Sequence, residues 1–124
     1  MPEFFQFKQF VVHQDRCGMK VGTDGVLLGA WAEGGKHILD IGTGTGLIAL
    51  MLAQRCKDAD ITGVELNEQA AIQAQENIDA SPFAPQITIE NVPIQRFSLQ
   101  STLHGHFDSI VSNPPFYHSL RSKN

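Results

Sequence analysis

Three glycines at alternate positions, Gly42, Gly44 and Gly46, follow the short apolar run His37 to Ile41. Glycine has no Cβ and tolerates positive φ, so this cluster allows a tight turn that brings free backbone N–H groups close to a ligand. The apolar run is typical of a buried strand, and Leu47 to Arg55 carries apolar residues at helical spacing. The sequence therefore predicts a strand, a ligand-binding turn and a helix in direct succession.

The rest of the chain continues this alternation. Asp60 to Leu66 is β-branched and apolar and predicts a second strand, after which Asn67 can cap a helix. Further strands are predicted at Gln86 to Glu90 and Phe107 to Ser112, and a first helix at Gly25 to Ala32. Strands that alternate with helices imply right-handed βαβ units, so we expect a Rossmann-like α/β layer with a mostly parallel sheet.

Composition narrows the class of protein. The 124 residues suffice for one domain, and the formal charge of -4 argues against a nucleic-acid binder that works through a strongly basic surface, although local basic patches remain possible. No apolar stretch approaches the roughly 20 residues that span a bilayer, and the first residues lack the apolar centre of a signal peptide. We therefore expect a cytoplasmic protein that does not enter the membrane.

The metal-ligating residue types are sparse. Cys17 and Cys56 lack paired spacing and are expected to be plain thiols. His104 and His106 form a loop pair without a third ligand, so we expect no metal site. We expect the early phenylalanines to pack in the core or on an edge strand rather than to stack on bases. These phenylalanines are Phe4, Phe5, Phe7 and Phe10.

Glu65 ends the second predicted strand about 20 residues beyond the glycine turn, where a carboxylate can accept both hydroxyls of an adenosine ribose. The dinucleotide fingerprint would place its third glycine at Leu47, so the tighter spacing here weakens a nicotinamide interpretation. From these residues alone, Glu65 could serve either kind of adenosine cofactor.

Asn113-Pro114-Pro115-Phe116 follows the fourth predicted strand, and ligands of open α/β sheets bind beyond the carboxyl ends of strands. The Asn113 side-chain carbonyl and the Pro114 backbone carbonyl could accept both N–H protons of an exocyclic amine, which favours a pyramidal nitrogen. Phe116 offers an aromatic face for a planar base. The element predicts a site for an amine acceptor.

Asp40-Ile41-Gly42-Thr43-Gly44-Thr45-Gly46 resembles the first motif of the class I S-adenosylmethionine-dependent methyltransferases. The resemblance implies S-adenosyl-L-methionine as the cofactor. Asp40 and the backbone from Gly42 to Gly46, Thr43 included, would hold its methionine end, and Glu65 would hold the ribose. The adjacent Leu66 is also expected in the cofactor site. The Asp that often follows the third strand to bind adenine is replaced by Pro93, so Asn91 or the backbone of Val92 is expected to substitute.

The Asn-Pro-Pro-Phe element resembles the catalytic motif of amino-methyltransferases that act on adenine, guanine or protein glutamine, which implies Asn113, Pro114, Pro115 and Phe116 as catalytic residues. The opening segments Phe7 to Phe10 and Met19 to Trp31 are similar to those of the bacterial tRNA adenine-N6 methyltransferases that modify an adenine beside the anticodon of a valine tRNA.

That similarity implies methyl transfer to an adenine N6 in tRNA. It also places Gly22, Thr23 and Asp24 near the methionine carboxylate, although Thr23 and Asp24 could simply cap a helix. The rival functions are methylation of ribosomal-RNA guanine or release-factor glutamine, and a non-catalytic binding fragment.

A complete sheet of this family has seven strands, of which the sequence supplies four, in the implied order third, second, first, fourth. We expect residues 1–124 to form a single methyltransferase domain that is incomplete at the C-terminus, with the last three strands missing. We also expect this chain alone to bind the cofactor weakly and to transfer methyl groups poorly or not at all.

Overall fold

The computed structural model describes residues 4–7, 9–15, 29–30, 32, 34–98 and 106–112. Its strands are β1 (Phe4–Gln6), β2 (Val11–His13), β3 (His37–Ile41), β4 (Asp60–Val64), β5 (Ile87–Glu90) and β6 (Ser109–Ser112). Its α-helices are α1 (Leu47–Arg55), α2 (Glu68–Asp79) and α3 (Ile94–Ser98), and a short 3-10 helix covers Ala84–Gln86. Within this part of the chain no helix has the length and apolarity needed to cross a membrane.

The four strands β3 to β6 form one parallel sheet in the order β5-β4-β3-β6. This is the expected order of the third, second, first and fourth predicted strands, so the Rossmann-like prediction is confirmed. The last residue of β3, Ile41, pairs with Val64 on one side and with Ser112 on the other. The carboxyl ends of three neighbouring strands therefore meet at one edge of the sheet, where ligands of such folds bind.

The helix α2 shows why the alternation could be predicted. Asn67 caps it, since its Oδ1 accepts a 2.9 Å hydrogen bond from the backbone N–H of Ala70. Small alanine side chains let this helix approach the sheet closely, and the apolar residues at helical spacing are buried. They are Ala70, Ala71, Ala74 and Ile78.

The strands β1 and β2 pair antiparallel as a hairpin that periodicity did not predict. Phe10 is buried and stacks on Phe7 with ring centroids 4.8 Å apart, which agrees with the packing role expected of the phenylalanines. Phe4 is about half exposed. In the predicted first helix, Gly29 and Ala30 are helical, and residues 25–28 lie outside the described part of the chain.

Candidate functional site

The predicted glycine turn joins the end of β3 to the start of α1. Gly42, Gly44 and Gly46 all have positive φ, at 71°, 55° and 86°, which explains why glycine occupies each position. The backbone N–H groups of Gly42 and Thr43 donate to the carbonyl of Val64, at 2.8 and 3.1 Å. The turn, which we call the glycine loop (residues 42–46), is thereby anchored to the carboxyl end of β4.

Glu65 lies against this loop. Its Oε1 accepts a 2.8 Å hydrogen bond from the backbone N–H of Gly44, and its Oε2 accepts one of 3.1 Å from the N–H of Asn67. Its own N–H donates to the carbonyl of Glu90 at the end of β5. The half-buried carboxylate thus stands between the glycine loop and the N-terminus of α2, where its negative charge is favourable.

Asp40, near the end of β3, is fully buried. The Thr43 hydroxyl donates a 2.8 Å hydrogen bond to its Oδ2, whereas Oδ1 has no hydrogen-bond partner among the described residues. Burial raises the pKa of Asp40 to about 7, the Thr43 hydrogen bond opposes the rise, and the charge of Glu65 adds to it. The backbone N–H of Ala49 in α1 also lowers this pKa, so Asp40 organises both the loop, through Thr43, and the start of α1.

The end of β5 supplies the candidates for adenine recognition. The side-chain amide of Asn91 donates to the backbone carbonyls of Glu65 and Leu66, at 2.8 and 3.1 Å. Leu66 is 71% exposed and Val92 is half-buried, so both offer apolar surface beside Glu65. Asn91 thus positions the backbone that carries Glu65 and Leu66. This role differs from the contact with adenine that was predicted for Asn91.

Two further residues contact the glycine loop and were not among the site residues predicted from the sequence. A Cβ added at Gly63 would lie 2.8 Å from Thr43 Oγ1, so β4 needs glycine there for the loop to pack against it. The buried amide of Asn77 on α2 donates to the carbonyl of Thr45. The available signals were a glycine inside a β-branched strand and an amide on the apolar face of a helix.

The other predicted site residues lie outside the described residues. They are Gly22, Thr23 and Asp24 of the opening segment, and Asn113, Pro114, Pro115 and Phe116. Ser112, which precedes Asn113 in the chain, ends β6 in register with Ile41 of β3. Within the described ranges no cluster of three or more potential metal ligands occurs.

These groups together suit an adenosine-type ligand. Half-buried carboxylate oxygens can accept ribose hydroxyls, and each can bond a second donor in addition to a backbone N–H. A Cβ on Gly42 would meet no atom of the described residues within 4 Å, so the described part of the chain leaves room beside the loop at that point. The Oδ1 of Asp40 is buried beneath the loop and has no hydrogen-bond partner among the described residues.

Comparison with known proteins gives a consistent result. The family model described as "Methyltransferase small domain" matches residues 20–124. A tRNA1(Val) (adenine(37)-N6)-methyltransferase from Salmonella arizonae is 58% identical over 116 residues, which cover 91% of this chain and 46% of the relative. The protein of the same name from Escherichia coli gives the same identity and coverage. The chain spans about half the length of the curated relatives it matches.

Solved structures share the fold at low sequence identity. TYW2 from P. horikoshii, determined in complex with MeSAdo, superimposes with a TM-score of 0.61 at 14% identity, over 74% of this chain and 36% of that one. The human methyltransferase 10 domain containing protein gives a TM-score of 0.55 at 21% identity, over 82% of this chain and 43% of that one. At such identities the comparison establishes the methyltransferase-like fold of the sheet and its helices.

Proposed function

Because the chain belongs to the methyltransferase small domain family, we propose that it carries the cofactor site of an S-adenosylmethionine-dependent enzyme that methylates the N6 amine of an adenine in tRNA. The observation that carries the cofactor assignment is the hydrogen bond between the Gly44 N–H and Glu65 Oε1. It unites the glycine loop and the acid of the second strand in one site. The acceptor is proposed from the 58% identity to relatives named for tRNA1(Val) adenine methylation.

The residues present fit this cofactor. No atom of the described residues lies within 4 Å of the position that a Cβ would take at Gly42, so the cofactor could approach the backbone of the loop there. Asp40, whose Oδ1 has no partner among the described residues, is the acceptor proposed for the amino group of the methionine end. Glu65 would accept the ribose hydroxyls while it keeps its bonds to Gly44 and Asn67. Leu66 and the backbone of Val92 would border the adenine.

The bound cofactor supplies an electrophilic methyl group, and the chain orients the amine that receives it. We propose that the Asn113 side-chain carbonyl and the Pro114 backbone carbonyl accept the two N–H protons of the adenine amine. The nitrogen lone pair is thereby localised and directed away from the ring. Pro115 stiffens the backbone at this point, and Phe116 stacks on the base.

We also propose that Gly22, Thr23 and Asp24 border the methionine carboxylate, as the resemblance of the opening segment implies. A tRNA substrate places the enzyme in the cytoplasm. The net charge of -4 over these 124 residues supports docking of RNA on a local basic patch rather than on a broadly basic surface.

The experiment is an in vitro assay of the full-length gene product with unmodified valine tRNA, followed by nucleoside mass spectrometry. The expected product is N6-methyladenosine in that tRNA and not in tRNAs of other acceptor types. Methyl groups found only on guanine, or only on a protein glutamine, would contradict the adenine assignment. Failure of S-adenosylhomocysteine to bind the protein in calorimetry would contradict the cofactor assignment.

A further inference from the structure

Asn77 is a buried amide in the last turn of α2, with 1% of its surface exposed. Its Oδ1 accepts a 2.8 Å hydrogen bond from the backbone N–H of His13, and its Nδ2 donates to the carbonyl of the same residue at 2.9 Å. The amide therefore pairs with β2 as a neighbouring strand would. The second N–H of Nδ2 donates to the carbonyl of Thr45 at 2.8 Å.

These three bonds join parts of the chain that are far apart in sequence. His13 lies 64 residues from Asn77, and Thr45 lies 32 residues from it. A buried amide is costly unless it is hydrogen-bonded, and the oxygen and both N–H groups of this one have partners. The position therefore requires an amide to connect the hairpin with the glycine loop.

The contact with Thr45 controls one peptide unit of that loop. The Thr45 carbonyl is held by Asn77, and the N–H on the other side of the same planar peptide, that of Gly46, donates to the carbonyl of Thr43 at 2.8 Å. With both edges of the peptide fixed, the loop retains one conformation. Its neighbour on the N-terminal side is Gly44, whose N–H contacts Glu65.

A second amide on the same face of α2 supports this connection. Gln73 lies one turn before Asn77, is equally buried, and donates from its Nε2 to Asp15 Oδ1 at 2.7 Å. The helix thus forms hydrogen bonds to residues 13 and 15 from two successive turns. A displacement of the segment that follows β2 would be transmitted through Asn77 to the carbonyl of Thr45.

We propose that Asn77 is a positioning residue that couples the N-terminal hairpin to the glycine loop and thereby sets the affinity for the cofactor. The inference rests on the proposed cofactor role of the loop. It predicts that Asn77 variants lose more cofactor affinity than other variants of equal stability, because Asn77 contacts the loop. It also predicts that kcat is kept, because Asn77 does not contact the reacting atoms.

The test uses the full-length gene product and S-adenosylhomocysteine as the probe. Asn77→Asp preserves the size and the acceptor for the His13 N–H but places an oxygen against the carbonyls of His13 and Thr45. We expect the dissociation constant to rise by about tenfold, which corresponds to the loss of the one hydrogen bond that reaches the loop, to the Thr45 carbonyl. We expect the KM for S-adenosylmethionine to rise similarly while kcat at saturating cofactor stays unchanged. We expect the same changes in the dissociation constant, KM and kcat for Asn77→Ala.

The matched control is Gln86→Ala. Gln86 Nε2 also donates to two backbone carbonyls, those of Cys56 and Ala59, at 2.9 and 3.1 Å, and neither belongs to the glycine loop. We expect this variant to lose thermal stability and to keep the affinity of the wild type. If the Asn77 variants bind as tightly as Gln86→Ala, the inference is wrong while the proposed function stands.

A measurement on the unmutated protein covers the case in which the Asn77 variants do not fold. Cofactor binding should slow hydrogen exchange at the His13 amide, whose acceptor is Asn77, because binding holds the loop and, through Asn77, the hairpin. Unchanged exchange at His13 in a protein that binds S-adenosylhomocysteine would overturn the coupling. If the wild type does not bind the probe at all, the proposed function fails together with this inference.

Discussion

The backbone N–H of Gly44 donates a 2.8 Å hydrogen bond to Oε1 of Glu65, across 21 residues of sequence. The bond requires both the positive φ of a glycine and a strand that delivers a carboxylate to the same edge of the sheet. Because a carboxylate oxygen can accept more than one donor, Glu65 can hold the loop and a ribose hydroxyl together. Loop geometry and cofactor affinity are therefore linked through one side chain.

The first prediction concerns Glu65→Gln. Glutamine retains one carbonyl acceptor but loses the negative charge, and its NH2 group would face the N–H of Asn67 or a ribose hydroxyl. Both the ribose contact and the Asn67 contact therefore weaken. We expect the dissociation constant for S-adenosylhomocysteine to rise by roughly tenfold to a hundredfold in calorimetry. Glu68→Gln removes the same charge from an exposed position on α2. Equal affinities of the two variants would contradict the role of Glu65.

The second prediction concerns Gly63→Ala on β4. The new Cβ would lie 2.8 Å from Thr43 Oγ1 and 3.0 Å from Ile89 Cδ1, so Thr43 must move away from Asp40. We expect the free energy of unfolding to fall by about 1–3 kcal/mol, as for other overpacked sites, and cofactor affinity to fall with it. Denaturant unfolding and calorimetry measure the two effects.

Gly35→Ala is the control for this substitution. Its Cβ would clash with Asp108 Oδ1, which lies beside the start of β3 and therefore at the opposite end of the strands from the glycine loop. We expect a comparable loss of stability with unchanged cofactor affinity. A loss of affinity in Gly35→Ala equal to that in Gly63→Ala would show that affinity follows global stability rather than the position of Thr43.

Periodicity predicted the main elements because each carries a clear pattern. The bounds of β3 and α1 agree with the prediction, and the cap at Asn67 was identified from its residue type and position. The helix α3 and the hairpin strands were missed, since five-residue and three-residue elements are too short to show a period. The fold followed from the long elements alone.

The candidate site was predictable only in part, for a physical reason. Sequence spacing indicated that the glycine loop and Glu65 belong together, because the carboxyl ends of parallel strands share an edge. The unsatisfied Oδ1 of Asp40 and the amide bridge of Asn77 depend on burial and on contacts between distant segments. Neither property can be read from the sequence around the residue.

The third prediction concerns Asn113→Ala. The substitution removes the side-chain carbonyl proposed to accept an N–H of the adenine amine, so the transition state loses an interaction that cofactor binding does not use. We expect kcat to fall by about a hundredfold or more in the tRNA assay, with unchanged affinity for S-adenosylhomocysteine.

Ser112→Ala is the neighbouring control for Asn113→Ala. Ser112 is exposed at the end of β6, and its loss should change kcat by about twofold at most. Turnover by Asn113→Ala that matches that of Ser112→Ala would contradict the proposed role of Asn113 in orienting the adenine amine.

The fourth prediction concerns stability as a function of pH, compared between the wild type and Asp40→Asn. Burial raises the pKa of Asp40 from 3.8 to about 7, so the folded protein binds a proton that the unfolded chain releases between these values. The contribution of Asp40 is therefore most favourable below pH 4 and is lost as the pH rises through about 7. Asparagine is neutral throughout, so we expect Asp40→Asn to gain stability relative to the wild type over this interval, by about 4 kcal/mol at most.

Urea unfolding of both proteins at pH 4.5, 6 and 7.5 measures this difference. Asp58→Asn, which removes the same formal charge from an exposed position, is the control.

Asp40→Asn should also bind S-adenosylhomocysteine more weakly, because the carboxylate proposed to meet the amino group of the methionine end is gone. A charge kept in a buried site at the expense of stability is the expected signature of a ligand-binding group. If the Asp40→Asn difference is flat with pH, or equals that of Asp58→Asn, the carboxylate is not held out of water and the assignment of Asp40 to the cofactor loses its physical basis.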